Sequence, residues 1–425
     1  MFGRAKFSIL LTALTIVSLE IMVQARIRQV PGEYPSIQEG INDCGGGDTV
    51  MVAPGTYYEN IDFNGQYLTL ASMFLTTGDY SYVTSTILDG DSSGAVITLH
   101  TGEGRNAVIC GFTIQNGIEE DGAGVRCLGT SPTIAYNLIR DNVASKNTGG
   151  GNGGGIYASE GAPLIVNNLI IRNTTIGVYG GFGAGIACRN ADAVIINNTI
   201  TRNHSNQLGG GIFLAYSDPI ILNTIFWQNT SVEEGPEIYT IYGTPNITYC
   251  DVYAGWQGEG NRNSNPEFRN VNNDDFRLSS TAYGYQYDSP LIDAGSPAFR
   301  DSRLDSLWGL GTQLADMGAF GGSDSAGVGI DDIIENIPQA IALAQNYPNP
   351  FNPVTNISFA MTETAPASLA VYNLSGQRVR TLIDGIIQAG NYNIAFDASD
   401  LASGIYFYSL QAAGRNLTRR MIVLK

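Results

Sequence analysis

Short apolar runs alternate with Gly, Asn and Pro along the middle of the chain, and this pattern returns at a nearly fixed distance. Residues 162–168 are typical, and no stretch keeps the apolar period of a helix. A repeat of 25 to 31 residues cannot bury its apolar face alone, so the repeats are predicted to stack. A phrase of small residues followed by Val or Ile marks the repeats at Gly122–Val125, Gly153–Ile156, Gly183–Ile186 and Gly209–Ile212.

The composition of each repeat predicts a solenoid of strands. Three short strands per repeat would form one coil of a parallel β-helix, each pairing with its equivalents about 4.8 Å above and below. Equivalent inward positions then become columns along the axis. The predicted columns are Val125, Ile156, Ile186 and Ile212; Cys127, Ala158, Cys188 and Leu214; Ile134, Ile165, Ile195 and Ile220; and Ile139, Ile170, Ile200 and Ile225.

A fifth column consists of asparagine. An inward Asn offers a donor and an acceptor, so stacked side chains can satisfy a buried turn and each other. Phe112 takes the same place one coil earlier. The predicted members are Asn137, Asn168, Asn198 and Asn223. With these columns the chain resembles right-handed parallel β-helix repeat proteins of the pectate-lyase-like superfamily.

Both ends of a β-helix need a cap. Ser36 and Glu39 have the spacing of a capping box, and Ile37 and Ile41 share one face of the short helix that would follow. Residues 265–321 resemble the closing segment of such surface proteins. Within it, Asp293 and Asp316 are predicted to anchor turns and backbone, and a calcium role stays open although nothing in the sequence favours it.

The two ends of the chain indicate export. Residues 1–25 have the basic start, apolar run and small-residue cleavage site of a signal peptide, and no later run is long enough to span a membrane. The tail closely resembles the C-terminal sorting domain of type IX secretion, from residues 346–353 to its basic final strand. The expected organisation is a signal peptide over 1–25, a β-helix with both caps over 26–322, a linker over 323–342 and a sorting sandwich over 343–425.

The overall fold class is therefore all-β, a right-handed parallel β-helix followed by a small antiparallel β-sandwich. The resemblance of the tail implies handling by the type IX machinery through residues 343–425 and a secreted or cell-surface location. A net charge of −17 excludes nucleic acid as a partner, because no basic stripe faces phosphates. Cys127 and Cys188 lie two coils apart, about 9.6 Å, too far for a disulfide.

Catalytic chemistry is not indicated. Glycosidases need paired carboxylates and lyases need a base beside a neutralised uronate, and neither motif is recognisable. No catalytic residue, metal ligand or cofactor is predicted, although the acidic run at 119–121 leaves calcium open.

One outward column is a candidate for carbohydrate binding. The register predicts that four outward side chains follow one another on successive coils. Arg could donate paired hydrogen bonds to sugar hydroxyls or a uronate carboxylate, and Trp could offer a flat face to a sugar ring. These residues are Asp141, Arg172, Arg202 and Trp227. Three functions stay open: non-catalytic polysaccharide binding or adhesion, which the missing motifs favour; a polysaccharide lyase or hydrolase acting on uronate-containing glycans; and a structural surface spacer.

Overall fold

A computed structural model describes residues 25–145, 150–177, 180–301, 308–322, 341–361, 365–387, 390–412 and 414–424. The predicted signal peptide lies outside the described residues except for its last position. The predicted linker also lies outside them, except for Ile341 and Ala342. The helical content is small, and the chain consists mainly of strands.

The β-helix has four parallel sheets, one more than the three strands predicted for each coil. The chain passes through the sheets in a fixed order, and they are numbered 1 to 4 in that order. Sheet 1 consists of Ile27–Val30, Thr49–Val52, Thr69–Ser72, Val108–Cys110, Thr133–Ala135, Leu164–Val166, Val194–Ile196, Ile220–Leu222 and Asn246–Thr248. Sheet 2 consists of Gly55–Tyr58, Thr86–Asp89, Thr113–Gln115, Leu138–Arg140, Leu169–Ile171, Thr199–Thr201, Ile225–Trp227 and Asp251–Val252.

Sheet 4 completes the coils, and the short sheet 3 precedes it in the five coils from Ile118–Glu119 to Thr230–Ser231. The short sheet 3 is the one that the sequence did not predict. It consists of Ile118–Glu119, Val143–Ser145, Thr174–Ile176, His204–Ser205 and Thr230–Ser231. Sheet 4 consists of Ile61–Asp62, Ile97–Leu99, Val125–Leu128, Ile156–Ser159, Ile186–Arg189, Ile212–Ala215 and Ile238–Ile241.

The inward columns of sheet 4 are confirmed, since Val125, Ile156, Ile186 and Ile212 pair in register and are buried. The column of Cys127, Ala158, Cys188 and Leu214 is confirmed in the same way. The five cysteines are buried and free. The predicted columns of sheets 1 and 2 are wrong by one residue in the last predicted coil. There Ile195 pairs with Ile221 rather than Ile220, and Ile200 pairs with Phe226 rather than Ile225.

The asparagine column has the same slip. Asn137 Nδ2 donates to Asn168 Oδ1, and Asn168 Nδ2 donates to Asn198 Oδ1, each at 3.1 Å. The next member is Thr224, whose Oγ1 accepts from the Asn198 backbone N–H at 3.3 Å. Asn223 instead lies one position earlier, with a left-handed backbone that it shares with Asn197. Phe112 precedes the ladder as expected, because its N–H donates to Asn137 Oδ1.

A second buried asparagine ladder follows sheet 2. Asn142, Asn173, Asn203 and Asn229 are linked from amide nitrogen to amide oxygen at 2.9 to 3.0 Å. The ladder ends on buried Glu237, which accepts from the Asn229 backbone N–H and Nδ2. Burial raises the pKa of Glu237 to about 7, although the Asn229 hydrogen bonds oppose the shift. A protonated carboxyl therefore closes this ladder at mildly acidic pH.

Stability is expected to fall as the pH rises, because the folded state keeps a proton on Glu237 that the unfolded chain releases near pH 4.5. Between about pH 4.5 and 7 this group should remove roughly 3 kcal/mol from the free energy of unfolding. Urea unfolding at pH 5 and pH 8 measures the loss. Glu237→Gln should show a smaller loss between the two pH values, and an unchanged loss would contradict the assignment.

Both ends of the β-helix are covered by local structure. A helix over Ile37–Asn42 lies at the start; Ser36 caps it, its Oγ accepting from Glu39 N–H, and Ile37 and Ile41 are buried. Short helices over Phe74–Thr77 and Ser81–Ser85 lie outside the coils. The closing segment contains strands Phe268–Asn270 and Asp275–Leu278 and 3-10 helices Val271–Asn273 and Thr281–Tyr283.

The aspartates of the closing segment act as predicted anchors. Asp316 accepts from the backbone N–H groups of Asp293 and Leu310, each at 2.8 Å. Asp293 accepts from the Thr312 N–H at 2.9 Å. Carboxylates in this role fix turns that have no sheet partner.

The C-terminal part is an antiparallel sandwich. One sheet consists of Ala342–Leu343, Val354–Met361 and Gly390–Asp397. The other consists of Arg378–Ile387, Ala365–Tyr372, Gly404–Ala412 and Arg415–Val423. Phe359 of the first and Leu369 and Tyr408 of the second share one core. The small antiparallel sandwich predicted after the β-helix is therefore confirmed. In the part of the chain that the structure describes, no helix has the length and apolar character to cross a membrane.

Candidate functional site

The predicted outward column lies at the turn that leaves sheet 2. Asp141, Arg172 and Arg202 occupy equivalent positions there, each with a left-handed backbone. The fourth equivalent residue is Gln228, because Trp227 pairs with Thr201 inside sheet 2. Trp227 therefore belongs to the neighbouring column, which is a correction to the predicted site. The cause is the one-residue slip that also displaced Asn223.

Arg172 is held between two carboxylates of its own chain. Its Nε and Nη2 donate to the two oxygens of Asp141 at 2.9 and 3.0 Å, and its Nη1 contacts Asp274 of the closing segment. These hydrogen bonds, first with Asp141, raise the pKa of Arg172. All three guanidinium nitrogens of Arg172 therefore contact carboxylates of the protein itself.

Arg202 and Trp227 also contact other parts of the chain. Arg202 Nη1 donates to the Val271 carbonyl at 2.8 Å, and its guanidinium lies 5.6 Å from the ring centre of Phe276. Trp227 packs edge-on against Tyr253, with ring centres 5.0 Å apart. Sugar binding by Asp141, Arg172, Arg202 and Trp227 stays a prediction, and a ligand there would compete with the segment 268–278.

The closing segment and the short helices also cover sheet 1. Outward side chains of this sheet, such as Leu164 and Val166, lie in a second core outside the coils. The ring of Trp308 packs against Phe74 and Tyr136 there, at 5.8 and 5.7 Å between ring centres. The exterior of sheets 1 and 2 is thus largely a packing surface within the protein.

Sheet 4 presents a different exterior. Its second strand position points outward and holds Tyr157, Ala187, Phe213 and Tyr239 on successive coils. Phe213 stacks on Tyr239 with ring centres 6.0 Å apart and planes 1° apart. Phe182, which comes from the loop before the strand, stacks on the other face of Phe213 at 4.7 Å. Aromatic rings therefore follow the helix axis on this face.

A cavity of about 250 Å³ opens among these rings. Its aromatic walls are Tyr157, Phe182, Phe213 and Tyr216, and these four residues are called the aromatic cleft below. Ala187, which lies between the positions of Tyr157 and Phe213 in this column, also lines the cavity, and Phe182 of the same coil stacks on Phe213. Ligand pockets typically combine such apolar walls with a few polar groups.

Two polar side chains lie at the rim of the aromatic cleft. Arg189 is exposed and forms no ion pair with any residue that the structure describes. Asn152 is fixed by Asp121, whose Oδ1 accepts from the Asn152 Nδ2 at 2.7 Å. Burial raises the pKa of this Asp121 carboxyl. Guanidinium and amide groups can donate to sugar hydroxyls or carboxylates.

A second ring pair extends the face. Tyr216 stacks on Tyr242 of the next coil, with ring centres 4.9 Å apart, and the two are 55 % and 71 % exposed. Exposed stacked rings offer a flat surface for an amphipathic ligand. This face was not among the predicted sites, although Tyr157, Phe213 and Tyr239 each follow an inward Ile by one position.

The comparisons with known proteins concern the tail. Residues 345–424 match the family described as the secretion system C-terminal sorting domain. A search among curated proteins gave no match. The sorting domain marks this parallel β-helix protein as one secreted through the type IX system, to the cell surface or the exterior.

Proposed function

We propose that this secreted protein binds a polysaccharide through the aromatic cleft and does not cleave it. The observation that carries the proposal is the ring-lined cavity on the exterior of sheet 4. Sheets 1 and 2 use their exterior for packing, whereas sheet 4 presents stacked rings to solvent.

The chemistry of the cleft suits a sugar. Pyranose rings have apolar C–H faces that pack on flat aromatic rings, and their hydroxyls need donors and acceptors at the edge. Tyr157, Phe182 and Tyr216 line the cleft with rings, and Phe213 adds its edge because Phe182 and Tyr239 cover its two faces. Asn152 and Arg189 supply the polar rim. Rings recur about every 4.8 Å along the sheet, so a chain of sugars could contact several coils.

The lining also favours binding over catalysis. Those described residues that form the cavity are aromatic, small, amide and guanidinium side chains. Glycoside hydrolysis needs two carboxyl groups facing one bond across about 5 to 9 Å. The Asp121 carboxyl beside the rim already holds Asn152.

The full chain should be retained by at least one polysaccharide in affinity electrophoresis without releasing product. The gels would contain pectate, alginate, xylan, mannan or cellulose derivatives, and a parallel assay would follow new reducing ends and unsaturated uronate absorbance. Retention without product is the expected result. Product release would replace the proposal with an enzyme, and silence in both assays would favour a structural spacer.

A further inference from the structure

The aromatic cleft is a recess with buried walls, not an open groove along sheet 4. Its lining comes from three successive coils, because Tyr157 pairs with Ala187 and Ala187 pairs with Phe213. The outer two of these coils lie about 9.6 Å apart, which is twice the strand spacing. Tyr157 and Ala187 are only 6 % and 1 % exposed, so the cavity reaches below the surface of the sheet.

The volume of the cavity suits one sugar ring. At about 250 Å³ the cavity is smaller than the roughly 300 to 1,000 Å³ of pockets that enclose drug-sized ligands. A run of several linked sugars would extend beyond the three coils that line it. A polysaccharide can therefore occupy this cavity only with a unit that projects from its main chain.

Tyr216 connects the cleft with a flat and exposed surface. Its ring lines the cavity and stacks on Tyr242 of the next coil, with ring planes 19° apart. Tyr216 and Tyr242 are called the tyrosine platform below. Because Tyr242 lies outside the cavity, a main chain that follows the helix axis can contact the platform while a neighbouring side group enters the cleft.

The backbone of the platform is unfavourable for residues of this size. Tyr216 and Tyr242 have φ values of 52° and 56°, and Asn190 and Glu160 hold the equivalent turn positions in the two preceding coils. A left-handed backbone suits asparagine better than a bulky ring. Tyr136 has the same backbone but is buried in the second core, whereas the platform is exposed. Strained residues with exposed rings are typical of ligand-binding surfaces.

Asn152 supplies a free acceptor at the wall of the cavity. Its backbone N–H and its Nδ2 both donate to Asp121 Oδ1, at 3.1 and 2.7 Å. The amide nitrogen therefore faces Asp121, and Asn152 Oδ1 is buried without a partner. Buried acceptors are almost always satisfied in folded proteins, and a sugar hydroxyl in the cavity would donate to this oxygen.

We propose that the ligand is a branched polysaccharide whose single-sugar side groups enter the aromatic cleft while its main chain lies on the tyrosine platform. This inference rests on the proposed function and adds the class of polysaccharide. The cleft encloses one ring, and Asn152 Oδ1 accepts from one of its hydroxyls. Arg189 at the rim offers donors to hydroxyls near the opening. A linear chain would contact the platform alone.

Affinity electrophoresis of the full chain on matched polymers tests this inference. The polysaccharide that retains the protein most strongly is compared with its own main chain after enzymatic removal of the side groups. Galactomannan with mannan and arabinoxylan with xylan are pairs of this kind. The strongest ligand should be branched and should bind about tenfold more tightly than its main chain.

The contrary outcomes separate this inference from the proposed function. A linear polysaccharide as the strongest ligand, or equal binding within the pair, would overturn the inference and leave polysaccharide binding intact. Displacement of the branched polymer by short oligosaccharides of the main chain would also overturn it, because the cleft would then take chain ends. Retention by no polysaccharide would overturn the proposed function itself.

Three variants separate the cleft from the platform. Ala187→Leu adds bulk among the walls of the cavity and should reduce binding of the branched polymer to that of its main chain. Asn152→Ala keeps the backbone hydrogen bond to Asp121 and should weaken only the branched polymer, about fivefold, as the loss of one hydrogen bond does. It decides the test if Ala187→Leu does not fold. Tyr242→Ala should weaken both forms by the same factor. A preference for the branched polymer that survives the cleft variants would refute the assignment.

Discussion

Replacing Asn173 by alanine is expected to lower the free energy of unfolding by about 4 kcal/mol. Asn173 is fully buried in the second ladder. It accepts from Asn142 Nδ2 and donates to Asn203 Oδ1 and to the Ile139 carbonyl, each at 3.0 Å. The variant leaves these groups buried without partners, and each costs about 1 to 3 kcal/mol.

Urea unfolding followed by circular dichroism measures this loss. Asn263→Ala is the matched control, because Asn263 is an exposed asparagine of the same chain and should change stability by less than about 0.5 kcal/mol. A loss below about 1 kcal/mol in Asn173→Ala would mean that the ladder contributes little to holding the coils together.

The double variant Phe213→Ala, Tyr216→Ala is expected to weaken polysaccharide binding about a hundredfold. Phe213 forms one wall of the aromatic cleft and carries two stacked partners, and Tyr216 presents a largely exposed ring. Each ring should contribute on the order of 1.4 kcal/mol, a factor of about ten, as an aromatic anchor of an interface does. The dissociation constant from affinity electrophoresis in the retained polysaccharide measures the change.

Stability must be compared in the same experiment. Both side chains point away from the interior of the coils, so the double variant should keep the cooperative unfolding of the parent even if its midpoint falls. Tyr253→Ala provides a control on another face, since Tyr253 is 51 % exposed and packs against Trp227. Undiminished binding in the double variant with normal unfolding would exclude the cleft.

The sequence was sufficient for the inner columns of sheet 4. Each of Ile156, Ile186 and Ile212 follows small residues at the same offset, because the tight approach of successive coils there leaves little room for side chains. A regular steric requirement produces a regular sequence, and such a pattern is visible in the sequence alone.

The register of the last predicted coil could not be read in this way. Residues 198–200 and 223–225 have the same sequence, Asn-Thr-Ile, which would align Thr199 with Thr224. The structure instead pairs Thr199 with Ile225. Thr224 can enter the ladder because its hydroxyl both accepts and donates, like an amide. The identity of the residues was therefore weaker evidence for the strand register than their hydrogen-bonding capacity.

The contacts of the outward side chains could not be predicted from the repeat pattern. Arg172 meets Asp274, which is 102 residues away in the chain. Phe182 reaches the stack from a loop, whereas Tyr157 and Phe213 follow the strand period and were open to prediction. The closing segment packs against the exterior of sheet 2 and leaves sheet 4 open. A periodic pattern cannot show this, because the contacts join residues far apart in the sequence.

The most direct test of polysaccharide binding by the aromatic cleft compares two double variants on one polysaccharide gel. Phe213→Ala with Tyr216→Ala alters the aromatic cleft, and Arg172→Ala with Trp227→Ala alters the covered column beside sheet 2. We expect that retention is lost in the first and kept in the second. Retention kept in the first and lost in the second would move the binding site to the column and contradict the assignment of sheet 4.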